Sequence, residues 1–147
     1  MFDACFFACP VLHTVEFQKR GLPCADIIVW LVRDTSHPSP AIIDEFISAE
    51  IPDPRRDPLA YALVAKHMIH GPCGPGHETC PCMKNGKCSK RFPKPYQNET
   101  SVEENSFAVY KRSNNKRYIE KGNTKLDNAW VVPYNMFLLK NIKLIST

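Results

Sequence analysis

One stretch limits what this chain can fold into more than any other: residues 70–94, HGPCGPGHETCPCMKNGKCSKRFPK. It carries four cysteines and two histidines, with almost no apolar side chain for a core to bury. Glycine, proline and lysine recur too often for a regular helix or strand, so residues 71–96 are expected to form an irregular loop. Long loops of this kind are usually functional, or are held by something other than a core. His70 and Cys73 have the spacing of a metal half-site, and Cys82 and Cys88 form a second pair around a turn at Asn85-Gly86. One imidazole and three thiolates around a tetrahedral zinc ion would tie such a loop down. The spacing is looser than paired C-x-x-C units, so Cys80 is an alternative to Cys82 and His77 an alternative to His70. Reduced thiols in an unliganded loop are the plainer reading.

The bulk numbers frame this loop. With 147 residues, 44% apolar and 23% charged, the chain has the composition of one modest globular domain. Its apolar runs, such as Ile27 to Val32, fall far short of a membrane span of roughly 20 residues. The opening MFDACFFACPVLH carries Asp3 and no leading Lys or Arg, a poor signal peptide, so an intracellular setting without membrane contact is expected. There, seven cysteines with four crowded together favour metal over disulfide. The net charge of +4 is mild, but its placement is uneven. Lys84, Lys87, Lys90, Arg91 and Lys94 occupy eleven residues that contain no acid, and Lys111, Arg112, Lys116 and Arg117 form a second cluster. Solvated basic loops would look the same.

The rest of the chain reads as mixed strand and helix. Thr14 to Gln18 and Asp26 to Arg33 predict two strands of an antiparallel hairpin turning at Lys19 to Pro23, the second strand apolar enough to be covered on both faces. Ser39-Pro40 and Asp57-Pro58 are helix starts, with proline in the first turn. The first helix would carry Ile42, Ile43, Phe46 and Ile47. The second, 58–70, would bury Leu59 and Leu63 before Gly71-Pro72 ends it. Phe107 to Tyr110 and Lys116 to Ile119 predict a hairpin around Asn114-Asn115. Trp130 to Val132 predicts a strand, and Pro133 to Lys140 a turn and helix. On strand two, Cys24 and Asp26 lie at i and i+2, so a thiol and a carboxylate share one face.

Five strings in order, EFQKRGLP, ISAEIPDP, HGPCG, CMKNGKCSKRFPK and LDNAWVVPYN, closely resemble the replication-initiator region of Helitron transposases, the helicase-like N-terminal domain. The resemblance covers residues 15–140 and leaves 1–14 and 141–147 unmatched. It implies an α+β fold, an antiparallel sheet with flanking helices of the initiator-nuclease kind, here incomplete and of marginal stability, plus the irregular Cys-rich loop. In that family two histidines on a central strand help hold Mg²⁺ or Mn²⁺, and a tyrosine attacks single-stranded DNA. The string after GLP is typically His-Ala-His; here it is Cys24-Ala25-Asp26. Asp26 suits a hard ion and Cys24 does not, so loss of the catalytic metal is expected. The family's tyrosine motif has no match among Tyr61, Tyr96, Tyr110, Tyr118 and Tyr134, and there is no phosphate-binding loop for ATP.

The resemblance therefore implies a remnant of a rolling-circle initiator, nuclear if functional, without nuclease or helicase activity. It would keep a weak affinity for single-stranded DNA through Lys87, Lys90, Arg91, Lys94, Arg112 and Arg117. A zinc-stabilised nucleic-acid-binding module, with His70, Cys73, Cys82 and Cys88 as ligands, is the alternative. An active nickase using Cys24 and Asp26 is a further one.

Overall fold

A computed structural model describes residues 11–17, 23–29, 39–103 and 107–141, in two compact units that divide just before Ser39. The first unit is a hairpin of β1 (Val11–Phe17) and β2 (Pro23–Val29), paired antiparallel as the sequence predicts. Both strands begin three residues earlier than expected. Residues 18–22, which hold most of the turn expected at Lys19 to Pro23, and the predicted strand residues 30–33 lie outside the described residues. Cover on both faces of the second strand is not found, because Ile28 is 54% exposed and Asp26 is exposed too.

In the second unit, α1 (Pro40–Phe46) and α2 (Pro58–His67) start where the cap signals put them. Ser39 accepts from the Ile42 N–H at 3.4 Å and Asp57 from the Ala60 N–H at 3.0 Å, each satisfying one of the helix's orphan donors. Helix α2 stops at His67, three residues short of the expected end. The chain leaves it to pair elsewhere: Val132 N–H donates to Met68 O at 2.8 Å and His70 N–H to Trp130 O at 2.9 Å. The strand expected at Trp130 to Val132 is thereby reduced to a single bridge, Ile69 opposite Val131, after a 3-10 turn over Asn128–Trp130. The buried stripe of α2 is also one residue off the predicted one. Ala60 and Val64 are fully buried, whereas Leu59 is exposed and Leu63 only packs at the margin of the core.

The remaining strands are short: β3 (Met83–Lys84), β4 (Lys87–Cys88), β5 (Ser101–Val102), β6 (Ala108–Val109), β7 (Tyr118–Lys121) and β8 (Thr124–Asp127), followed by α3 (Met136–Asn141). The hairpin expected around Asn114-Asn115 does not form. Instead β6 pairs with β5, and β7 pairs with β8 around Gly122-Asn123, where Gly122 takes φ +59°. Residues 112–117 are used differently: Arg112 and Gln97 exchange backbone hydrogen bonds, and the Ser113 N–H donates to Glu50 Oε1 at 2.7 Å.

The core gathers Ile51, Val64, Ile69, Ile119, Leu126, Val131, Tyr134 and Leu139 from the segment before α2, from α2, β7, β8 and α3, and from the segments between them. Buried Asn128 pins it, with Oδ1 accepting from Ile51 N–H at 2.8 Å and Nδ2 donating to Ser113 O at 2.7 Å. A mixed fold of helices and antiparallel strands is thus what forms, but the described strands pair only two by two, so no wider sheet exists among the described residues.

Candidate metal centre

Four side chains converge where α2 gives way to the Cys-rich segment. His70 is fixed by its backbone bond to Trp130 O, and its ring stacks on Phe92 with centroids 4.3 Å apart and 17° between planes. Phe92 in turn lies parallel to Trp130 at 6.5 Å. Gly71 then turns the chain with φ +97°, where a Cβ would come within 3.1 Å of two Trp130 ring carbons. Both the backbone angle and the indole require glycine at this position. Gly71→Ala is expected to cost about 1–3 kcal/mol of stability and to weaken metal retention, because the strain is relieved only by moving His70 or Trp130. Thermal melts with and without added zinc check this; an unchanged midpoint in both would refute it.

Beyond Cys73, which is buried, the chain coils through turns at Gly74 to His77 and His77 to Cys80 and reaches the β3–β4 hairpin. Asn85 (φ 51°) and Gly86 (φ 74°) form its tip, both with the left-handed angles that a two-residue hairpin turn demands. This turn brings Cys82 and Cys88 together; Ser89 N–H donates to Cys82 O at 2.7 Å. Lys94 N–H donates to Ala129 O at 2.8 Å and ties the end of the segment back to the core.

The donor atoms of His70, Cys73, Cys82 and Cys88 all lie within 4.8 Å of one another. His70 Nε2 sits 3.6 Å from Cys73 Sγ and 3.3 Å from Cys88 Sγ. A tetrahedron with Zn–S of about 2.3 Å and Zn–N of about 2.0–2.1 Å has N···S edges of about 3.5 Å, so the observed separations already match. These are the four ligands expected from the sequence. The alternatives fall away: His77 and Cys80 stand outside the group. A set of three soft sulfurs and one imidazole suits zinc and excludes Mg²⁺ and Ca²⁺. With all four positions taken by protein, such a site is closed and structural.

Electrostatics agree with a site built to be filled. Burial, then the charges of Lys90 and Lys94, hold the His70 pKa below its ordinary value, leaving the neutral ring that a metal needs. Burial pushes the Cys73 thiol up to about 12, helped by hydrogen bonds to the Cys82 and Cys88 sulfurs and by their charge. Burial also raises Cys88, but the N–H groups of Phe92 and Lys90, with bonds from the Cys73 and Cys82 thiols, outweigh it and the net shift is downward. Crowded thiolates repel one another, and a divalent cation between them removes that conflict.

The residues expected to meet DNA divide. Lys87, Lys90 and Arg91 are exposed around the β3–β4 hairpin, as is the neighbouring Lys84. Lys94 is half-buried, its ammonium 5.3 Å from the Phe92 centroid. Arg112 is a correction: it is buried, and its Nη1 donates to Asn128 O at 2.6 Å and Val131 O at 2.8 Å, so it is not placed to reach a phosphate. Arg117 is held by Asp53 at 2.9 Å. On the hairpin, the register sets Cys24 opposite Glu16 and Asp26 opposite Thr14, and Asp26 joins no group of metal donors among the described residues. The sequence reading missed the ring stack of His70, Phe92 and Trp130. Phe92 in the string RFPK was visible, but nothing in the sequence announced that Trp130 would lie beside it.

No known protein-family model matches the chain, and no curated protein matches it. Among the described residues no helix is long and apolar enough to cross a membrane.

Proposed function

We propose that residues 39–141 are a structural-zinc module whose Cys-rich face binds the phosphate backbone of single-stranded nucleic acid. The observation that carries this reading is the convergence of His70, Cys73, Cys82 and Cys88 on one point. The ion would make a rigid platform of the β3–β4 hairpin, and Lys84, Lys87, Lys90 and Arg91 project from or beside it without an acid in the same run. Fixed cations neutralise phosphates at less entropic cost than mobile ones. The setting that accords with the motifs is the initiator region of a Helitron transposase. DNA cleavage is not part of the proposal, since Cys24-Ala25-Asp26 stands where that family carries His-Ala-His.

The test has two parts. Native mass spectrometry of the full chain should find one bound zinc. Fluorescence anisotropy with an oligothymidylate should show affinity that falls with salt. Each single-strand phosphate contact contributes about 0.7 to the slope of log K against log salt. Replacing Lys87, Lys90 and Arg91 together by glutamine is therefore expected to lower the slope by about 2. An unchanged slope, or no binding at low salt, would sink the nucleic-acid half of the proposal.

A further inference from the structure

Two tyrosines of the second unit are exposed and yet held in place: Tyr118 is 44% exposed and Tyr96 47%. Neither belongs to the core cluster. On the β7–β8 hairpin Ile119 and Leu126 are buried, so strand alternation turns Tyr118, Glu120, Lys125 and Asp127 to the opposite face. Register sets Tyr118 opposite Asp127, and Asp127 Oδ2 accepts from the Tyr96 hydroxyl at 2.6 Å, so both rings meet this face at one residue. Asp127 is itself fixed, its Oδ1 accepting from the Ala129 N–H at 2.9 Å. Lys125 Nζ lies 4.3 Å from the Tyr118 ring centroid and 4.0 Å from Glu120. Tyr96 also closes a run in which cations and rings interleave: Lys90, Arg91, Phe92, Lys94, Tyr96. The Lys94 N–H on Ala129 O, at 2.8 Å, and the Tyr96 hydroxyl on Asp127 lay that run alongside residues 127–130. Tyr96 is five positions from Arg91 and so at most about 18 Å away, within reach of one short nucleic-acid strand.

We propose that Tyr96 and Tyr118 are a base-stacking platform for unpaired nucleotides of the strand whose phosphates meet Lys87, Lys90 and Arg91. A ring already held by its neighbours loses little freedom when a flat partner covers it, so the stacking energy is kept. Every base has a π face, so this recognition tolerates any sequence. In a duplex the faces of a base are covered by its own neighbours, so the platform selects single strands. Glu120 and Asp127 outnumber Lys125 on this face, which leaves it without net positive charge. Its contribution is therefore contact with bases, and neutralising phosphate falls to the cations at the β3–β4 hairpin.

The inference rests on the nucleic-acid reading, and the experiment separates the two. Fluorescence anisotropy of the full chain, with zinc present, is measured on an oligothymidylate and on an abasic strand of the same length. The parent is expected to bind the oligothymidylate at least about 5-fold more tightly, since each stacked base is worth about 5–150-fold in affinity. In Tyr96→Leu and in Tyr118→Leu, affinity for the oligothymidylate falls by about that factor. The salt slope and the affinity for the abasic strand stay as in the parent, because stacking releases no counterions. Tyr96→Phe and Tyr118→Phe keep the ring and stay within about twofold of the parent. A parent that binds neither strand at low salt overturns both readings. A parent that binds the two strands equally, or leucine variants that keep oligothymidylate affinity or lose abasic binding as well, overturns this inference alone.

Discussion

Stripping zinc with a strong chelator is expected to unfold residues 71–92 while the core of the second unit stays folded. The reason is where apolar burial lies. All eight residues of the core cluster come from outside the Cys-rich segment, from Ile51 to Ile69 and from Ile119 to Leu139. Within the segment Cys73 is the buried residue, and the other side chains are half or fully exposed. Ordering such a chain costs about 1–2 kcal/mol per residue in backbone entropy, and nothing but turn hydrogen bonds and the donor cluster offsets it. Structural zinc in small modules contributes about 10–16 kcal/mol near neutral pH, so its removal is the largest single perturbation available. Amide resonances from 72–92 should collapse to random-coil positions on chelation, while those of Ile119, Leu126 and Val131 keep their dispersion. Cys82→Ser should reproduce the effect, and Cys80→Ser should not. Retention of ordered signals through 72–92 without metal would show that the loop holds itself. The pH dependence has a definite sign. With the Cys73 thiol pushed up to about 12, zinc must displace its proton at neutral pH, so uptake releases protons and apparent affinity weakens as pH falls.

The parts of this molecule that could be read from sequence are those fixed by local chemistry. Ser39-Pro40 and Asp57-Pro58 announce helix starts because the cap and the proline act within one turn of their own position. The grouping of four candidate metal donors was legible for the same reason: His70 and Cys73 share one bend, and Asn85-Gly86 closes the hairpin between Cys82 and Cys88. What failed depends on distant partners. Asn114-Asn115 looks like a turn, but the Ser113 N–H finds Glu50, a partner 63 residues away, and residues 114–116 run exposed with no strand pairing across them. Leu59 has the better apolar side chain, yet the face of α2 that meets the core carries Ala60 and Val64. Arg112 belongs to the same class. Its position in a run of cations suggested a phosphate contact, and its actual partners lie 16 and 19 residues further on.

Arg112→Met is expected to separate those two roles for a buried cation. Methionine keeps much of the aliphatic stem and removes every donor, so the carbonyls of Asn128 and Val131 lose the guanidinium at 2.6 and 2.8 Å. An orphaned buried acceptor costs about 1–3 kcal/mol; Val131 O loses its guanidinium donor and Asn128 O keeps just a long bond from the Val131 N–H at 3.3 Å, so a loss of about 2–4 kcal/mol is the expected result. At about 4–8 °C per kcal/mol for a unit of this size, the melting midpoint should fall by at least about 8 °C. Lys87→Gln, an exposed change, should stay within about 0.5 kcal/mol. Removing a positive charge from low dielectric is itself favourable, and burial already holds the Arg112 pKa below its usual value; the loss is therefore set by the carbonyls, Asn128 O keeping just the Val131 N–H at 3.3 Å once the arginine is gone. Arg112→Lys offers one compact ammonium where a planar fork spans two acceptors, so it should recover only part of the stability. Binding reads the other role. Measured well below the midpoint, Arg112→Met should leave the salt slope for oligothymidylate unchanged, because a side chain 4% exposed meets no phosphate. A slope lowered by about 0.7 with stability intact would mean that the guanidinium reaches the nucleic acid after all, and that the 3-10 turn at Asn128–Trp130 is held by something else.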